Sequence, residues 1–131
     1  MTLRNARYGL ACGGLALVGW LTTFASIPSQ ASAADPQRGA LLFQSCTACH
    51  NVLGDGVGPD LTGVYGQKAA QRPDFNYSPA LKASGLTWTD ANLRAFIENP
   101  QALVKGTAML FPGYAARDDV DAVVAYMKTL K

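Results

Sequence analysis

Two cysteines two residues apart, followed at once by a histidine, stand at Cys46-Thr47-Ala48-Cys49-His50. Residues i and i+3 of a helical turn lie on one side. Both thiols can therefore reach the vinyl groups along one edge of a porphyrin, and the next residue sets an imidazole beneath its iron. This spacing is the attachment pattern of a c-type haem. A Cys-x-x-Cys pair also serves thiol–disulfide exchange or forms half of a zinc site. Exchange expects a βαβ context, and the residues around Cys46 do not alternate as a strand would. Zinc needs further N or S ligands. Beyond Cys12, which falls in an N-terminal leader described below, the chain offers only these two cysteines and one histidine, so carboxylates would have to complete the set. Covalent haem is the favoured reading.

His50 is the only histidine, so a second imidazole on the same iron is excluded within one subunit. Methionine, lysine, water or an open position remain. Met127 shares an apolar helical face with Val120, Val123, Val124 and Leu130 and reads as core. Met109 lies in Lys105-Gly106-Thr107-Ala108-Met109-Leu110-Phe111-Pro112-Gly113, a loop punctuated by glycine and proline that can lay a side chain against a haem face. Filling an apolar gap is the alternative role for that side chain. A histidine–methionine pair would close both axial positions, stabilise ferrous iron and leave no site for oxygen or peroxide.

The elements that must position these groups are helical. One helix is expected from Asp35 or Pro36 to the motif, with Leu41, Leu42 and Phe43 apolar and proline tolerated in its first turn. A second is expected over Thr89 to Glu98, capped by Thr87 or Thr89 and stopped by Pro100. A third runs from Arg117 to near Leu130, with Asp118 and Asp119 suited to its start and Lys128 and Lys131 to its end. A short helix fits Pro79 to Ala83. No run alternates as a strand, and the fold class is all-α. The glycine- and proline-rich stretch from Asn51 to Pro79 is long for a loop in so small a domain. A haem gives such a loop an apolar body to wrap and enlarges a core near the lower size limit.

The chain has 131 residues and opens unlike the rest. Arg4 and Arg7 precede an uncharged, largely apolar span that closes on Ala31-Ser32-Ala33, the parts of a secretory signal. Residues 1–34 are read as that signal, cleaved after Ala33 or Ala34, and 35–131 as the mature domain. An uncleaved membrane anchor is the alternative, disfavoured by Gly9, Gly13, Gly14 and Gly19. Lipid attachment at Cys12 lacks a full apolar run before the cysteine. The chain carries 11 basic and 9 acidic residues. Loss of Arg4 and Arg7 brings the two into balance, which gives nucleic-acid binding no electrostatic support. Export implies a periplasmic location.

Taken together, Cys46 to His50, Gly58-Pro59-Asp60-Leu61-Thr62-Gly63, Trp88, Glu98-Asn99-Pro100 and Gly106-Thr107-Ala108-Met109 resemble, in order and spacing, a class I c-type cytochrome over residues 36–131. The resemblance is to mitochondrial cytochrome c and its short bacterial relatives. It implies the cytochrome c fold, one haem c bound through Cys46 and Cys49, and iron ligation by His50 and Met109. It also implies a Pro59 carbonyl on the His50 ring, propionate contacts from Tyr77 and Trp88, and a helix crossing at Gly39 and Tyr126. A core place for Trp88 is compatible with its propionate contact. Four residues depart from the pattern. Gln67 stands where many relatives carry an arginine near a propionate, and Phe96 where many carry a tyrosine bonded to the methionine sulfur. Ala108 and Ser45 replace lysines, which weakens any transfer of a lysine-rich docking face.

The function expected is a monomeric electron carrier rather than an enzyme, with membrane or soluble redox proteins as donor and acceptor. An open-faced haem protein, peroxidase-like or gas-sensing, would instead bind cyanide or carbon monoxide readily. A haem-free thiol–disulfide protein would carry Cys46 and Cys49 without covalent haem.

Overall fold

A computed structural model describes residues 34–51 and 56–131. The expected signal lies outside them except for Ala34. Among the described residues there are five helices and no strand: α1 Pro36–Thr47, α2 Pro79–Ala83, α3 Asp90–Glu98, α4 Pro100–Leu103 and α5 Arg117–Met127.

Local chemistry explains most of the boundaries. The Asp35 carboxylate accepts the Gln37 N–H at 2.9 Å, and Pro36 occupies the first turn of α1, where its missing N–H costs nothing. Thr89 rather than Thr87 caps α3, accepting the Asn92 N–H. Pro100 does more than stop α3. Asn99 leaves the helix in an extended conformation and its side chain accepts the Ala102 N–H at 3.0 Å, so asparagine cap and proline together start α4. That helix was not expected, because proline was read only as a terminator. α5 ends at Met127, short of Leu130. Its continuation tightens into turns in which Thr129 N–H reaches the Tyr126 carbonyl and Leu130 N–H that of Met127.

The core forms where α5 meets α1 and α3. Val120 and Val123 of α5 are completely buried, and Val124 and Met127 nearly so. Phe43 of α1 and Leu93, Phe96 and Ile97 of α3 close on them. α1 crosses α5 at Gly39, where a Cβ would stand 2.6 Å from the Ala122 carbonyl carbon and 2.8 Å from Tyr126 Cβ. One helical turn on, Phe43 packs on Tyr126 with ring centroids 5.1 Å apart. The absence of a side chain at Gly39 thus sets how closely the motif-bearing helix lies on the core. The long loop is tied to the segment before α3 by three backbone bonds, Ala69 to Leu86, Trp88 to Gln67 and Trp88's carbonyl to Gly66 N–H.

Asp90, at the start of α3, joins three segments. It accepts from the Tyr65 hydroxyl at 2.6 Å and from Lys128 Nζ at 2.6 Å, with Arg94 at 3.6 Å. Lys128 and Tyr65 hold its carboxyl below the usual carboxylate range.

Two outcomes test this frame. Gly39→Ala should lower stability by about 1–3 kcal/mol or more, the cost of forcing a methyl into a closed contact, read from the denaturant midpoint. A carboxyl depressed in the folded state contributes stability above its unfolded value, about 4, and loses it as pH falls through the folded value. Asp90→Asn should therefore flatten the decline of stability below about pH 4 and cost less than about 1 kcal/mol at neutral pH. Thermal melts across pH measure both, and an unchanged acid limb would contradict the role given to Asp90.

Candidate haem-binding site

α1 carries Cys46 in its last turn, and the chain then curls so that the N–H groups of Cys49 and His50 both reach the Cys46 carbonyl, at 3.1 and 2.8 Å. This brings the imidazole back beneath the helix end. His50 Nδ1 lies 2.7 Å from the Pro59 carbonyl. A carbonyl only accepts, so Nδ1 carries the proton and Nε2 keeps its lone pair for a metal. Gly58 forms the floor under the ring. A Cβ there would stand 2.5, 2.7 and 2.9 Å from Cε1, Nδ1 and Nε2, and the Gly58 N–H donates to the Cys49 carbonyl at 3.0 Å. Gly58-Pro59 therefore sets both the plane and the tautomer of His50.

Cys46 is half-buried and Cys49 exposed. Burial pushes the Cys46 thiol up, with a weaker opposing bond from Ser45. An exchange cysteine needs a lowered thiol, whereas a thioether has no proton to lose and suits this position. Among the described residues no three His, Cys, Asp or Glu side chains gather to hold an ion, so the carboxylates needed to complete a zinc site are not assembled. Leu42, Leu61, Val64, Leu81, Leu86, Met109 and Phe111, like Cys46 itself, are partly buried apolar groups packed against the core. Paired thiols, a nitrogen presented to metal and partly exposed apolar side chains fit a covalently held haem.

Met109 belongs to the loop that follows α4. Gln101 braces it: its Nε2 donates to the carbonyls of Thr107 at 2.8 Å and Met109 at 3.3 Å, while its Oε1 accepts the Gly106 N–H. Thr107 is buried and its hydroxyl accepts the Met109 N–H at 3.4 Å. Met109 packs on the core while Leu110 beside it is 90% exposed, so the loop turns its thioether inward. Gln101 escaped the sequence reading. Its only signal was a position three residues past Glu98, on a helix that was not expected.

Tyr77 and Trp88 occupy different settings. Trp88 is buried with its ring on Phe96, centroids 5.0 Å apart, and its N–H on the Gln67 carbonyl. Tyr77 is half-buried against Phe75. Desolvation lifts its phenol above the ordinary value, opposed by a bond from the Arg72 backbone. Arg72, also unanticipated, pairs with Asp60 at 3.3 Å and donates to the Thr62 carbonyl, fastening two stretches inside the long loop to each other.

A family model described as Cytochrome c matches residues 36–131. The cytochrome c2 of Rhodomicrobium vannielii is 46% identical over 101 residues, covering 75% of this chain and 81% of that protein. Cytochrome c-554 of Methylosinus trichosporium is 44% identical over 108 residues, 79% of this chain and 82% of that one. The solved structure of cytochrome cH from Methylobacterium extorquens superposes with a TM-score of 0.70 at 45% identity, covering 72% of this chain and 98% of that one.

Gly58→Ala should push the imidazole off the Pro59 carbonyl and cost the holoprotein about 1–3 kcal/mol, as overpacking of a closed contact does. Chemical denaturation followed in the haem absorption band measures this. An unaltered midpoint would mean the ring does not rest on Gly58.

Proposed function

The chain belongs to the cytochrome c family, electron-transfer proteins that carry haem c covalently, and from that premise we propose that His50 and Met109 would be the two side chains that hold its iron. When bound, the haem supplies a one-electron ferric/ferrous couple. Cys46 and Cys49 anchor it as thioethers. His50, its Nδ1 proton engaged by Pro59, offers Nε2 at a fixed angle and with raised basicity. Met109 offers a soft, neutral sulfur that favours the reduced state and raises the potential. The observation that carries this reading is the 2.7 Å contact from His50 Nδ1 to Pro59, which dedicates the sole imidazole to metal binding immediately after the two thiols.

Tyr77 and Trp88 are assigned as hydrogen-bond donors to the haem propionates. The half-buried setting of the Tyr77 phenol, next to the Arg72 backbone and packed on Phe75, supports the first. The backbone bonds that seat Trp88 between Gln67 and Gly66 support the second. The mature chain, 35–131, works as a periplasmic monomer that accepts an electron from one redox protein and passes it to another, membrane-bound or soluble. The basic, apolar, Ala-x-Ala leader supports export. No helix among the described residues is long and apolar enough to cross a membrane. With Ser45 and Ala108 in place of lysines and a balanced net charge, recognition of partners rests on local contacts near Met109 more than on long-range steering.

An absorption spectrum with a mutant tests the ligand set. The ferric protein should show the weak red band of methionine–iron ligation. Met109→Ala should abolish that band, lower the midpoint potential and let cyanide bind the ferric form without denaturant. A variant with unchanged spectrum and potential would remove Met109 from the site.

A further inference from the structure

The loop bearing Met109 ends at Tyr114, and the Tyr114 hydroxyl reaches across the molecule to α1. It lies 2.8 Å from the Leu42 carbonyl and 2.6 Å from Ser45 Oγ. Ser45 Oγ is itself 2.9 Å from the same Leu42 carbonyl. The three oxygens share two hydroxyl protons, so two of the three contacts are hydrogen bonds at any moment and either hydroxyl can serve as donor to Leu42. The Tyr114 ring packs edge-on against Phe111, centroids 5.2 Å apart, two residues beyond Met109. Ser45 and Leu42 flank Cys46 on the last two turns of α1. This contact therefore joins the segment that presents the thioether to the helix that carries the first haem anchor. The other end of the loop is already braced from within by Gln101.

We propose that Tyr114, with Ser45, is a positioning clasp that holds the Met109 loop closed and so limits access of other ligands to the sixth coordination position. The proposal rests on Met109 as the sixth ligand. Opening the loop from its C-terminal end requires the phenol to leave Leu42 and Ser45, whereas the Gln101 brace and the α5 core can stay in place. An external ligand binds only the open form, so its apparent affinity is reduced by the fraction of molecules that are open. Weakening the clasp raises that fraction without altering His50 or the thiols.

Tyr114→Phe keeps the ring on Phe111 and removes only the hydroxyl. In ferric holoprotein, titration with imidazole should show about five- to tenfold tighter apparent binding than the unmodified protein, the effect of losing a hydrogen bond of ordinary strength. Ser45→Ala should give a smaller gain, about twofold, and should add nothing in the Tyr114→Phe background. Amide exchange on the same proteins should accelerate for residues 109–114 and stay unchanged in α5. Unchanged imidazole affinity in Tyr114→Phe, or acceleration in α5 equal to that in the loop, would overturn the clasp, the latter because the hydroxyl would then act through global stability. If the unmodified ferric protein lacks the red band and binds imidazole as readily as Met109→Ala, the ligand assignment fails instead, and the exchange of residues 109–114 still decides the clasp. Should Tyr114→Phe not yield holoprotein, Ser45→Ala, at an exposed position, carries the same two measurements, and no change in either would overturn the proposal.

Discussion

The site depends on how closely α1 can lie on α5. At Gly39 the two backbones approach to a distance that leaves no room for a methyl, and Phe43 then seats its ring on Tyr126. That crossing fixes the direction in which α1 ends, and α1 ends on Cys46. The curl that brings Cys49 and His50 under the helix terminus starts from a carbonyl whose place is set by this packing. A small chain with one short core has few other rigid references. The glycine at the crossing therefore matters to the chemistry although it touches none of the reacting groups.

From that reference, two irregular segments are tied to α1 and the turn that follows it, one through Gly58 to Cys49 and one through Tyr114 to Leu42 and Ser45. The first, over Gly58-Pro59, presents a flat floor and a carbonyl to His50 and so selects one tautomer. The second presents Met109 and is held by side chains from three places: Gln101 in α4, Thr107 in the loop itself, and Ser45 in α1 through Tyr114. Segments with so little regular secondary structure would ordinarily be the mobile part of a domain. Here polar side chains bond directly to the loop backbone, which supplies the order that a helix or sheet would otherwise provide.

The exposed ion pairs have a different part. Asp90 with Tyr65, Arg94 and Lys128, and Arg94 with Asp121, tie the long loop and α3 to α5. Each is partly exposed and individually weak. Their value lies in fixing the register between segments that are joined to one another by only a few backbone bonds.

The sequence alone determined the chemistry and the regular elements. Cys46, Cys49 and His50 name a haem-attachment motif because their spacing is local, and Pro36 with the apolar patch Leu41 to Phe43, and the spacing of Leu93, Phe96 and Ile97, locate α1 and α3 because helix signals are local as well. Elimination and loop context pointed to Met109 as one candidate for the iron, and the family resemblance, read from motifs spread along the chain, strengthened it and added Pro59. The tertiary structure decided what depends on distant partners. Leu42 and Tyr114 stand 72 positions apart, Arg38 and Asp119 81 positions apart, and no pattern in the chain links them. Gln101 and Arg72 likewise read as ordinary polar residues until folding brings backbone carbonyls within reach. α4 is hidden for a local reason, since Pro100 marks the end of one helix by its missing N–H while Asn99, as a cap, makes it the start of another. Hydrogen bonds from side chains to remote backbone carry no periodicity, and so they become visible only once the chain has closed on itself.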